Sequence, residues 1–459
     1  MRTTRRGRAV GGLLVVGALV GGAGAAGLLD GAAQPPAAVA PARTPSPTAA
    51  VREALLPPAA DGAAPGTDGL QAAVDAALTD PALGGDVAVS VVDVTSGQPL
   101  LERSADVPLV PASTAKLATA VAALTALPAD LRLRTRVVAG AAPGEVVVVG
   151  GGDPTLAGPS TPVRYPQPAR LADLAAQVRA ALGATAVTRV VVDDSLYTGE
   201  RLAPGWKPTY VTEGAVAPVT ALMVDGGRVR QDRGPRSTEP ALAAGSALAA
   251  LLAPGAAVDV VRGTAAAEAA PLGEVASAPV PQLVERMLIA SDNDLAEALA
   301  RQVALATGRP ASFAGAAEAM TQVLADAGID PGAVRLVDGS GLSRDDRVEP
   351  GAVTGLLVSA VAGDDPRLAP VLSGLPVAGF DGTLAPRYRT GAAVPAAGRV
   401  RAKTGTLNAV SALAGLLRTA DGRLLAFDLT ANAVPLGANR RAERALDALA
   451  ARLAACGCP

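Results

Sequence analysis

The chain contains 459 residues, of which 50% are hydrophobic and only 2% aromatic, and its formal net charge is −2. This length predicts two or three domains with a sizeable core. No basic stripe interleaved with aromatic residues runs along the sequence, so we expect no nucleic-acid partner. Histidine is absent, which excludes a Ser-His-Asp triad, a Cys-His dyad and a histidine-ligated zinc site.

Lysine and cysteine are almost as rare as histidine. The 40 basic residues include only three lysines, Lys116, Lys207 and Lys403. A desolvated lysine can lose its proton and act as a base, whereas an arginine cannot, so the lysines are the first places to look for chemistry. Lys207 matches no catalytic pattern, and we predict it at the surface. The only cysteines, Cys456 and Cys458, are too close together to staple the body of the fold.

The first 66 residues predict export followed by a tether. Residues 1–30 combine a basic start with an uncharged apolar run, Ala9 to Leu29, which is typical of a signal peptide or of an uncleaved membrane anchor. Residues 31–66 contain eight prolines among alanines and polar residues, which predicts a semi-rigid Pro/Ala-rich linker. Both interpretations of residues 1–30 place the body of the protein outside the cytoplasm, in the cell wall or at the outer face of the membrane.

The folded body begins near Thr67. Helical periodicity over 70–78 precedes two strand-like runs within 86–104, joined by a turn at Ser96 and Gly97, and residues 111–124 (PASTAKLATAVAAL) predict a helix. From 139 to 267 the pattern changes to short Val-rich strands separated by helices, which indicates an inserted α/β domain. Residues 67–138 and 268–459 then form one discontinuous domain.

The second half of that domain returns to helices and ends in strands. Residues 281–308 and 313–328 have helical periodicity, and 399–432 predict three strands, the last two joined by a hairpin turn at 420–422. An amphipathic helix over 438–455 closes the chain. Strands at both ends of a helical middle predict an α+β sandwich, with an antiparallel sheet between layers of helices.

The first candidate catalytic motif is Ser113-Thr-Ala-Lys116. Residues three apart on a helix share one face, so Lys116 is within reach of Ser113. At a helix N-terminus, the exposed N–H groups would also stabilise a negative charge on Ser113. A deprotonated lysine could then accept the serine proton. The alternative is a helix whose N-cap is Ser113 and whose Lys116 faces solvent.

The second motif is Ser291-Asp292-Asn293, which lies between two helical runs. Its hydroxyl could relay a proton to a leaving group, and its amide could hold a substrate carbonyl. Alternatively, these residues only break and cap the helices.

The third motif, Lys403-Thr404-Gly405-Thr406, lies on the first strand of the C-terminal hairpin. A cationic head and a hydroxyl on an edge strand can bind a carboxylate, and a glycine allows a bound peptide to approach closely. The alternative is an ordinary strand with a glycine bulge.

Together the motifs point to one family. The order S-x-x-K, S-D-N, K-T-G is that of penicillin-binding proteins and β-lactamases. Beyond these motifs, the chain resembles the class C low-molecular-mass penicillin-binding proteins, the peptidase S13 family of D-alanyl-D-alanine carboxypeptidases/endopeptidases. The resemblance covers nearly everything after residue 70 and includes five stretches, at 146–156, 217–227, 337–348, 375–384 and 401–415.

The resemblance implies a serine β-lactamase/DD-peptidase-like fold and an acyl-enzyme mechanism without metal or organic cofactor. Ser113 would attack the carbonyl of the penultimate D-alanine of a peptidoglycan stem peptide, and Lys116 would take its proton. The N–H groups of Ser113 and Thr406 would form the oxyanion hole. β-Lactams would acylate the same serine as inhibitors.

The same resemblance implies roles for the other two motifs. Ser291 and Lys403 would assist protonation of the departing D-alanine, after which water hydrolyses the acyl-enzyme. The substrate backbone and terminal carboxylate would be held by Asn293, Thr404, Gly405 and Thr406.

Two features depart from the family pattern. The separation of Ser113 and Ser291 is shorter than in family members with two nested insert domains, so we infer one inserted domain here, with the second absent or reduced. Asp346 and Glu349 stand where uncharged residues are expected, which puts the local turn in doubt.

Three alternatives remain open from sequence. A serine β-lactamase shares the motifs but needs a base for fast deacylation, and the sequence places neither Glu285 nor Glu297 in that role. A non-catalytic wall-binding or β-lactam-sensing protein would keep the fold, yet it would not need the intact nucleophile. The sequence also leaves the balance between carboxypeptidase and endopeptidase activity undecided.

Overall fold

A computed structural model describes residues 66–162, 164–230 and 234–456. The predicted signal peptide or anchor, and the predicted linker as far as Pro65, lie outside the described residues. Among the described helices, none is both long and apolar enough to cross a membrane.

Twelve strands and eleven helices are described. The strands are β1 (Asp86–Asp93), β2 (Pro99–Arg103), β3 (Arg134–Ala139), β4 (Glu145–Val149), β5 (Arg189–Asp193), β6 (Asp259–Arg262), β7 (Pro271–Ala276), β8 (Val334–Arg335), β9 (Arg347–Val348), β10 (Val400–Leu407), β11 (Val410–Arg418) and β12 (Leu424–Asn432).

The helices follow the periodic segments of the sequence. They are α1 (Thr67–Leu78), α2 (Lys116–Ala126), α3 (Leu171–Leu182), α4 (Tyr210–Glu213), α5 (Pro240–Leu252), α6 (Val280–Ala290), α7 (Asn293–Ala306), α8 (Phe313–Asp326), α9 (Pro350–Ala362), α10 (Ala369–Gly374) and α11 (Asn439–Ala455).

The main sheet has the strand order β10-β11-β12-β1-β2 and is antiparallel throughout. Its central strands are buried on both faces. Along β12, Leu425 and Phe427 point into a core with α1 and α11, whereas Ala426 points into the core formed by α2, α6, α7, α8 and α9. Because side chains alternate along a strand, successive apolar residues, as at Leu425, Ala426 and Phe427, predict helices on both faces. The predicted α+β sandwich is therefore confirmed.

A second sheet has the order β6-β5-β4-β3-β7, and its β4, β5 and β6 are parallel. Helices α3 and α5 pack on it through a separate apolar core. Strands β3 and β7 lie largely outside the 139–267 boundaries predicted from the sequence. All described residues fall within one compact unit, so the second sheet belongs to a lobe attached to the main domain. We call the described residues from the start of β3 to the end of β7, 134–276, the inserted lobe.

The local signals of the sequence have specific structural outcomes. The turn between β1 and β2 places Gly97 at a φ of 69°, and the hairpin between β11 and β12 places Gly422 at 88°, a left-handed conformation that glycine adopts without steric strain. The segment 111–124 differs from its prediction. It begins as a 3₁₀ turn, Ala112–Ala115, and becomes α-helical only at Lys116.

The turn that carries Ser113 packs directly against Gly341. A Cβ atom on Gly341 would lie 1.9 Å from the carbonyl oxygen of Ala112, and its φ is +77°. Only glycine fits here, since a side chain would clash with backbone that cannot move aside. The stretch of chain that contains Gly341 therefore fixes the position of the turn that carries Ser113.

We predict that Gly341→Ala destabilises the chain by about 1–3 kcal/mol more than Gly255→Ala, because it adds a clash to the strain of a left-handed backbone. Gly255 is the matched control, since its φ is also +77° and no atom lies within 4 Å of its Cβ position. Urea-induced unfolding of both variants measures the difference. Equal stability of the two variants would show that the Ala112 contact imposes no constraint.

Candidate active site

Ser113 lies on the 3₁₀ turn that precedes α2. Ala112, the residue before it, has a φ of 49°, a left-handed conformation that costs about 1–3 kcal/mol for a residue other than glycine. Such strain persists only where the surroundings impose it. The first N–H groups of a helical turn also have no intrahelical acceptor. The turn therefore presents the Ser113 hydroxyl and nearby N–H groups to the cleft that Ser113 lines.

Lys116 is completely buried and lies at the centre of the site. Its Nζ is 3.0 Å from Ser113 Oγ, 2.7 Å from Asn293 Oδ1 and 2.6 Å from the carbonyl oxygen of Ser340. A neutral amine has two N–H donors and one lone pair. The two oxygens that can only accept take both donors, which leaves the lone pair directed at the Ser113 hydroxyl. The geometry is that of a base beside its nucleophile, and a solvent-facing lysine is ruled out.

Burial lowers the pKa of Lys116 from 10.5 to about 8. The opposing influence comes from carboxylates at a distance, chiefly Asp338 and Glu297. Because no carboxylate touches Nζ, desolvation prevails over their attraction. About a tenth of Lys116 is then neutral at pH 7, and this fraction, the form that a general base requires, grows as the pH rises.

Asp338 organises the loop that supplies the Ser340 carbonyl. Its carboxylate accepts N–H groups from Ser340 at 3.0 Å, Gly341 at 2.6 Å and Ser343 at 2.7 Å, and the indole N–H of Trp206 at 2.6 Å. Four donors on one buried carboxylate hold the loop in one conformation. The position of the Ser340 oxygen, and hence of the lysine donors, follows from this loop.

Asp346 and Glu349 stand where uncharged residues are expected, yet the turn forms. Asp346 is fully buried and accepts the N–H of Val337 at 2.7 Å. Burial, followed by the nearby charge of Asp338, raises its pKa well above the ordinary range. A carboxyl group whose pKa is raised is protonated more readily, which brings Asp346 closer to the uncharged residue expected at this position. Glu349 lies directly before α9, outside the catalytic contacts.

The Ser291-Asp292-Asn293 turn joins α6 to α7. Ser291 has a φ of 52°, and the Asp292 side chain caps α7 by accepting the N–H of Leu295 at 3.1 Å. Asn293 bridges two parts of the chain, because its Oδ1 faces Lys116 and its Nδ2 donates to the carbonyl of Ala215 at 2.9 Å. The motif caps a helix and also reaches the catalytic lysine.

Lys403 is the second fully buried lysine. Its Nζ lies 2.9 Å from Ser291 Oγ and 2.8 Å from the carbonyl oxygen of Thr404. Burial, together with the charge of Lys116, holds the pKa of Lys403 well below its usual value of 10.5. Ser291 and Lys403 thus form a second hydroxyl–amine pair, which is linked to the first through the Ser291–Asn293 turn.

Strand β10 directs its backbone toward Ser113. It is an edge strand, and at its start the Ala402 N–H donates outward to Pro376 at 2.9 Å, while the carbonyl of Val400 accepts from Ala378 at 2.9 Å. Backbone groups alternate in direction along a strand, so the N–H of Thr406 also points away from the sheet. Since Thr406 and Ser113 line the same cleft, this N–H faces the site.

The remaining residues of the third motif have defined places. Thr404 Oγ1 is hydrogen-bonded to Thr383 Oγ1 at 2.8 Å, and Thr406 Oγ1 donates to Glu443 at 2.9 Å. Gly405 is buried, and a Cβ atom there would lie 2.7 Å from the carbonyl oxygen of Pro111. Its missing side chain is thus required for close packing of the Ser113 turn on β10. Contact of Gly405 with a substrate stays a prediction.

The cleft that contains Ser113 has an open volume of about 1560 Å³. Its walls come from both the main domain and the inserted lobe. Lys207 lines this cleft, is 41% exposed and forms an ion pair with Glu213 at 2.6 Å. The prediction that Lys207 lies at the surface is confirmed, and that surface borders the site. Other lining residues are Gly205, Tyr210, Asn293, Leu342, Arg344, Thr406 and Asn439.

Glu285 and Glu297 lie away from this cleft. Glu285 accepts the hydroxyl of Tyr165 at 2.8 Å and also contacts Ser373. Glu297 is buried, accepts the N–H of Gly339 and forms an ion pair with Arg301 at 3.3 Å. Both carboxylates are occupied by structural partners, so neither is positioned as the deacylation base of a β-lactamase.

Several supporting groups were not found from the sequence. Asp338 and Ser340 lie in the quoted stretch 337–348, but nothing in a linear pattern shows that a backbone carbonyl contacts Lys116. Ala215 likewise contributes only its carbonyl oxygen, which accepts a hydrogen bond from the Asn293 amide. Trp206 is the one tryptophan of the chain. Because a buried indole N–H requires an acceptor, this residue could have suggested a polar partner such as Asp338.

We predict that Lys116 titrates with a midpoint of about 8, because it is buried without a contacting carboxylate. With only three lysines, ¹³C-labelled lysine gives a simple NMR spectrum, and Lys116→Met identifies the signal by its loss. A midpoint near 10.5, the ordinary value, would show that Lys116 is solvated and is not poised as a base.

Comparisons with known proteins identify the family of this chain. The family model for the D-Ala-D-Ala carboxypeptidase 3 (S13) family matches residues 70–238 and 230–453. A carboxypeptidase of Mycobacterium tuberculosis is 44% identical over 428 residues, which cover 91% of this chain and 90% of that protein. The carboxypeptidase DacB of Mycolicibacterium smegmatis is 40% identical over 454 residues, which cover 97% of this chain and 96% of the relative.

The fold has a solved counterpart as well. The crystal structure of penicillin binding protein 4 from Haemophilus influenzae matches with a TM-score of 0.67 at 23% identity, covering 82% of this chain and 98% of the other. At this identity the match shows the shared fold, which agrees with the resemblance drawn from the motifs. On the family model and the two carboxypeptidase relatives, this chain belongs to the D-Ala-D-Ala carboxypeptidase 3 (S13) family.

Proposed function

We propose that this chain is a serine-type D-alanyl-D-alanine carboxypeptidase that cleaves peptidoglycan stem peptides through an acyl-enzyme on Ser113, with endopeptidase activity on cross-linked peptides at the same site. The observation that carries the proposal is the 3.0 Å contact between Ser113 Oγ and the fully buried Nζ of Lys116. A nucleophile next to an amine of lowered pKa is the arrangement that acyl transfer requires in the absence of histidine.

In the acylation step, the lone pair of Lys116 accepts the proton of Ser113 as Oγ attacks the carbonyl carbon of the penultimate D-alanine. The negative charge that develops on the carbonyl oxygen is stabilised by the N–H groups of Ser113 and Thr406. This assignment is supported by the outward direction of the β10 backbone at Thr406. Each such donor contributes about 3–4 kcal/mol to transition-state stabilisation.

Release of D-alanine needs a proton on its amine. Lys116 carries the serine proton and lies 2.7 Å from Asn293 Oδ1, while Ser291 Oγ and Lys403 form an adjacent donor pair. We assign protonation of the leaving amine to Ser291, with Lys403 replenishing its proton. Asn293, Thr404 and Thr406 are assigned to the substrate backbone and terminal carboxylate. Water completes the cycle by hydrolysing the ester on Ser113: Lys116 returns its proton to Ser113 Oγ as the ester bond breaks, and the proton lost by the attacking water restores Lys403 through Ser291.

The site of action is proposed to be outside the cytoplasm. Residues 1–30 have the pattern of a signal peptide or membrane anchor, and residues 31–66 have the composition of a tether. The proposed substrate, peptidoglycan, lies on that side of the membrane. We propose that β-lactams inhibit the protein by acylating Ser113, since a β-lactam presents an activated amide to the same nucleophile.

We predict a long-lived covalent adduct when the full chain is mixed with benzylpenicillin, with none on Ser113→Ala, because Ser113 is the nucleophile of the proposed mechanism. Intact-mass spectrometry measures the adduct, and peptide mapping locates it. Hydrolysis of D-Ala-D-Ala peptides should be lost in the same variant.

Two other outcomes would reject the proposal. Rapid loss of the adduct with destruction of the drug would indicate a β-lactamase. Absence of both adduct and peptide hydrolysis would indicate a protein that binds the wall or senses the drug without catalysis.

We predict that the rate of acylation by benzylpenicillin rises about tenfold per pH unit below about pH 8 and levels off above it, because the neutral fraction of Lys116 grows as pH rises through its pKa. Stopped-flow mixing over a pH series measures the rate. Above pH 8, Lys116→Met should be slower than wild type by about 10²–10⁴-fold, the usual contribution of a general base, and its rate should lack the rise with pH that Lys116 causes. An acylation rate that falls as pH rises toward 8 would assign the base elsewhere.

A further inference from the structure

A second cleft lies next to the Ser291-Asp292-Asn293 turn. Asn293 lines the cleft of Ser113, whereas Asp292 lines this second one, which has an open volume of about 690 Å³. The turn therefore separates the two clefts. The second cleft is formed between the inserted lobe and α6, and none of the mechanistic steps above uses it. Its charged lining residues are Arg164, Asp225, Arg228, Arg236, Arg286 and Asp292.

Three of the arginines are uncommitted. Arg236 is buried and forms an ion pair with Asp294 at 3.1 Å, with further donation to the backbone at Gly214. The guanidinium groups of Arg164, Arg228 and Arg286, by contrast, make no hydrogen bond or ion pair with the part of the chain that the structure describes. Arginine forms paired hydrogen bonds to planar oxyanions, so three such groups around one cleft form a candidate anion site.

The acidic lining residues do not neutralise these arginines by contact. Asp225 accepts the N–H of Gly158 at 3.2 Å and the hydroxyl of Thr161 at 2.5 Å, which closes the loop that carries Arg164. Asp292 is the cap of α7. Both carboxylates thus serve the backbone and hydroxyl donors around them.

The electrostatics of Arg228 show that positive charge is crowded here. Its pKa is lowered by burial, and then by the charge of Arg236 and, to a smaller extent, of Arg164, while Asp292 and Asp294 act in the opposite sense. A bound anion would relieve this repulsion. The cleft is also preformed, since Tyr165 anchors the loop of Arg164 to α6 by donating to Glu285 at 2.8 Å.

We propose that this second cleft binds a carboxylate of the peptidoglycan substrate outside the scissile region, through Arg228 and Arg286 with Arg164 at the rim. The inference rests on the proposed function, because peptidoglycan supplies the ligand. Stem peptides carry carboxylates besides the one at the scissile terminus. The shared Ser291–Asn293 turn places such a carboxylate beside the reacting peptide, so the second cleft would favour polymeric or cross-linked substrate over short peptides.

The test uses the full chain acylated with benzylpenicillin, so that Ser113 is blocked and substrate is not consumed. The probe is a cross-linked disaccharide-peptide dimer purified from peptidoglycan, and its binding is measured by calorimetry. We expect Arg228→Gln combined with Arg286→Gln to weaken binding by about tenfold or more, since two charge-assisted hydrogen-bond pairs are lost. The same dimer with its carboxylates converted to amides should bind the wild-type protein as weakly as the unmodified dimer binds the double variant.

The matched control combines Arg335→Gln with Arg399→Gln. Arg335 is exposed like Arg228, and Arg399 is half-buried like Arg286. Neither Arg335 nor Arg399 lines either cleft. The control should bind the dimer like wild type, and all variants should be acylated at the wild-type rate. Equal binding by both double variants would overturn the inference, as would an amidated dimer that binds wild type undiminished. Failure of wild type to be acylated would instead overturn the proposed function.

Discussion

The burial of Lys116 without a touching carboxylate is the constraint on which the site depends. An amine in apolar surroundings keeps its proton only if a negative charge compensates it. Here the atoms in contact with Nζ are neutral oxygens, from Ser340 and Asn293. The carboxylates of Asp338 and Glu297 stand farther away and are held by backbone N–H groups. This arrangement sets the pKa of Lys116 near 8, low enough to accept a proton and high enough to return one.

The second buried amine completes this balance. The pKa of Lys403 is also held well below its usual value, by burial first and then by the charge of Lys116. Two amines in one enclosed site discourage simultaneous protonation. In the proposed mechanism, a proton that passes from Ser113 to Lys116 therefore makes Lys403 more ready to pass its own proton to Ser291. The two hydroxyl–amine pairs are coupled by electrostatics, which suits a reaction in which one proton is removed and another delivered.

Much of this arrangement can be predicted from the sequence, because it depends on local patterns. Alternation along β12, periodicity along α11 and the three short motifs give the sandwich, its edge strand and the two lysine pairs. What the sequence does not show are contacts made by backbone atoms, such as Ser340 to Lys116, and protonation states set by burial, such as that of Asp346. The 3₁₀ turn at Ser113 is also hidden, since its cause is the packing of Gly341 against Ala112, a contact between distant parts of the chain.

The inserted lobe positions the Ser291–Asn293 turn, which reaches both buried lysines. The carbonyl of Ala215 fixes the Asn293 amide, and Asp294 accepts the N–H of Ala217 at 2.8 Å while it pairs with Arg236. Without these contacts the Asn293 amide could rotate, and its NH₂ group would then face Lys116 in place of its oxygen. A donor facing the amine would compete for the lone pair that must accept the Ser113 proton. The lobe thus supports the proposed catalytic site, although neither Ser113 nor Lys116 lies within it.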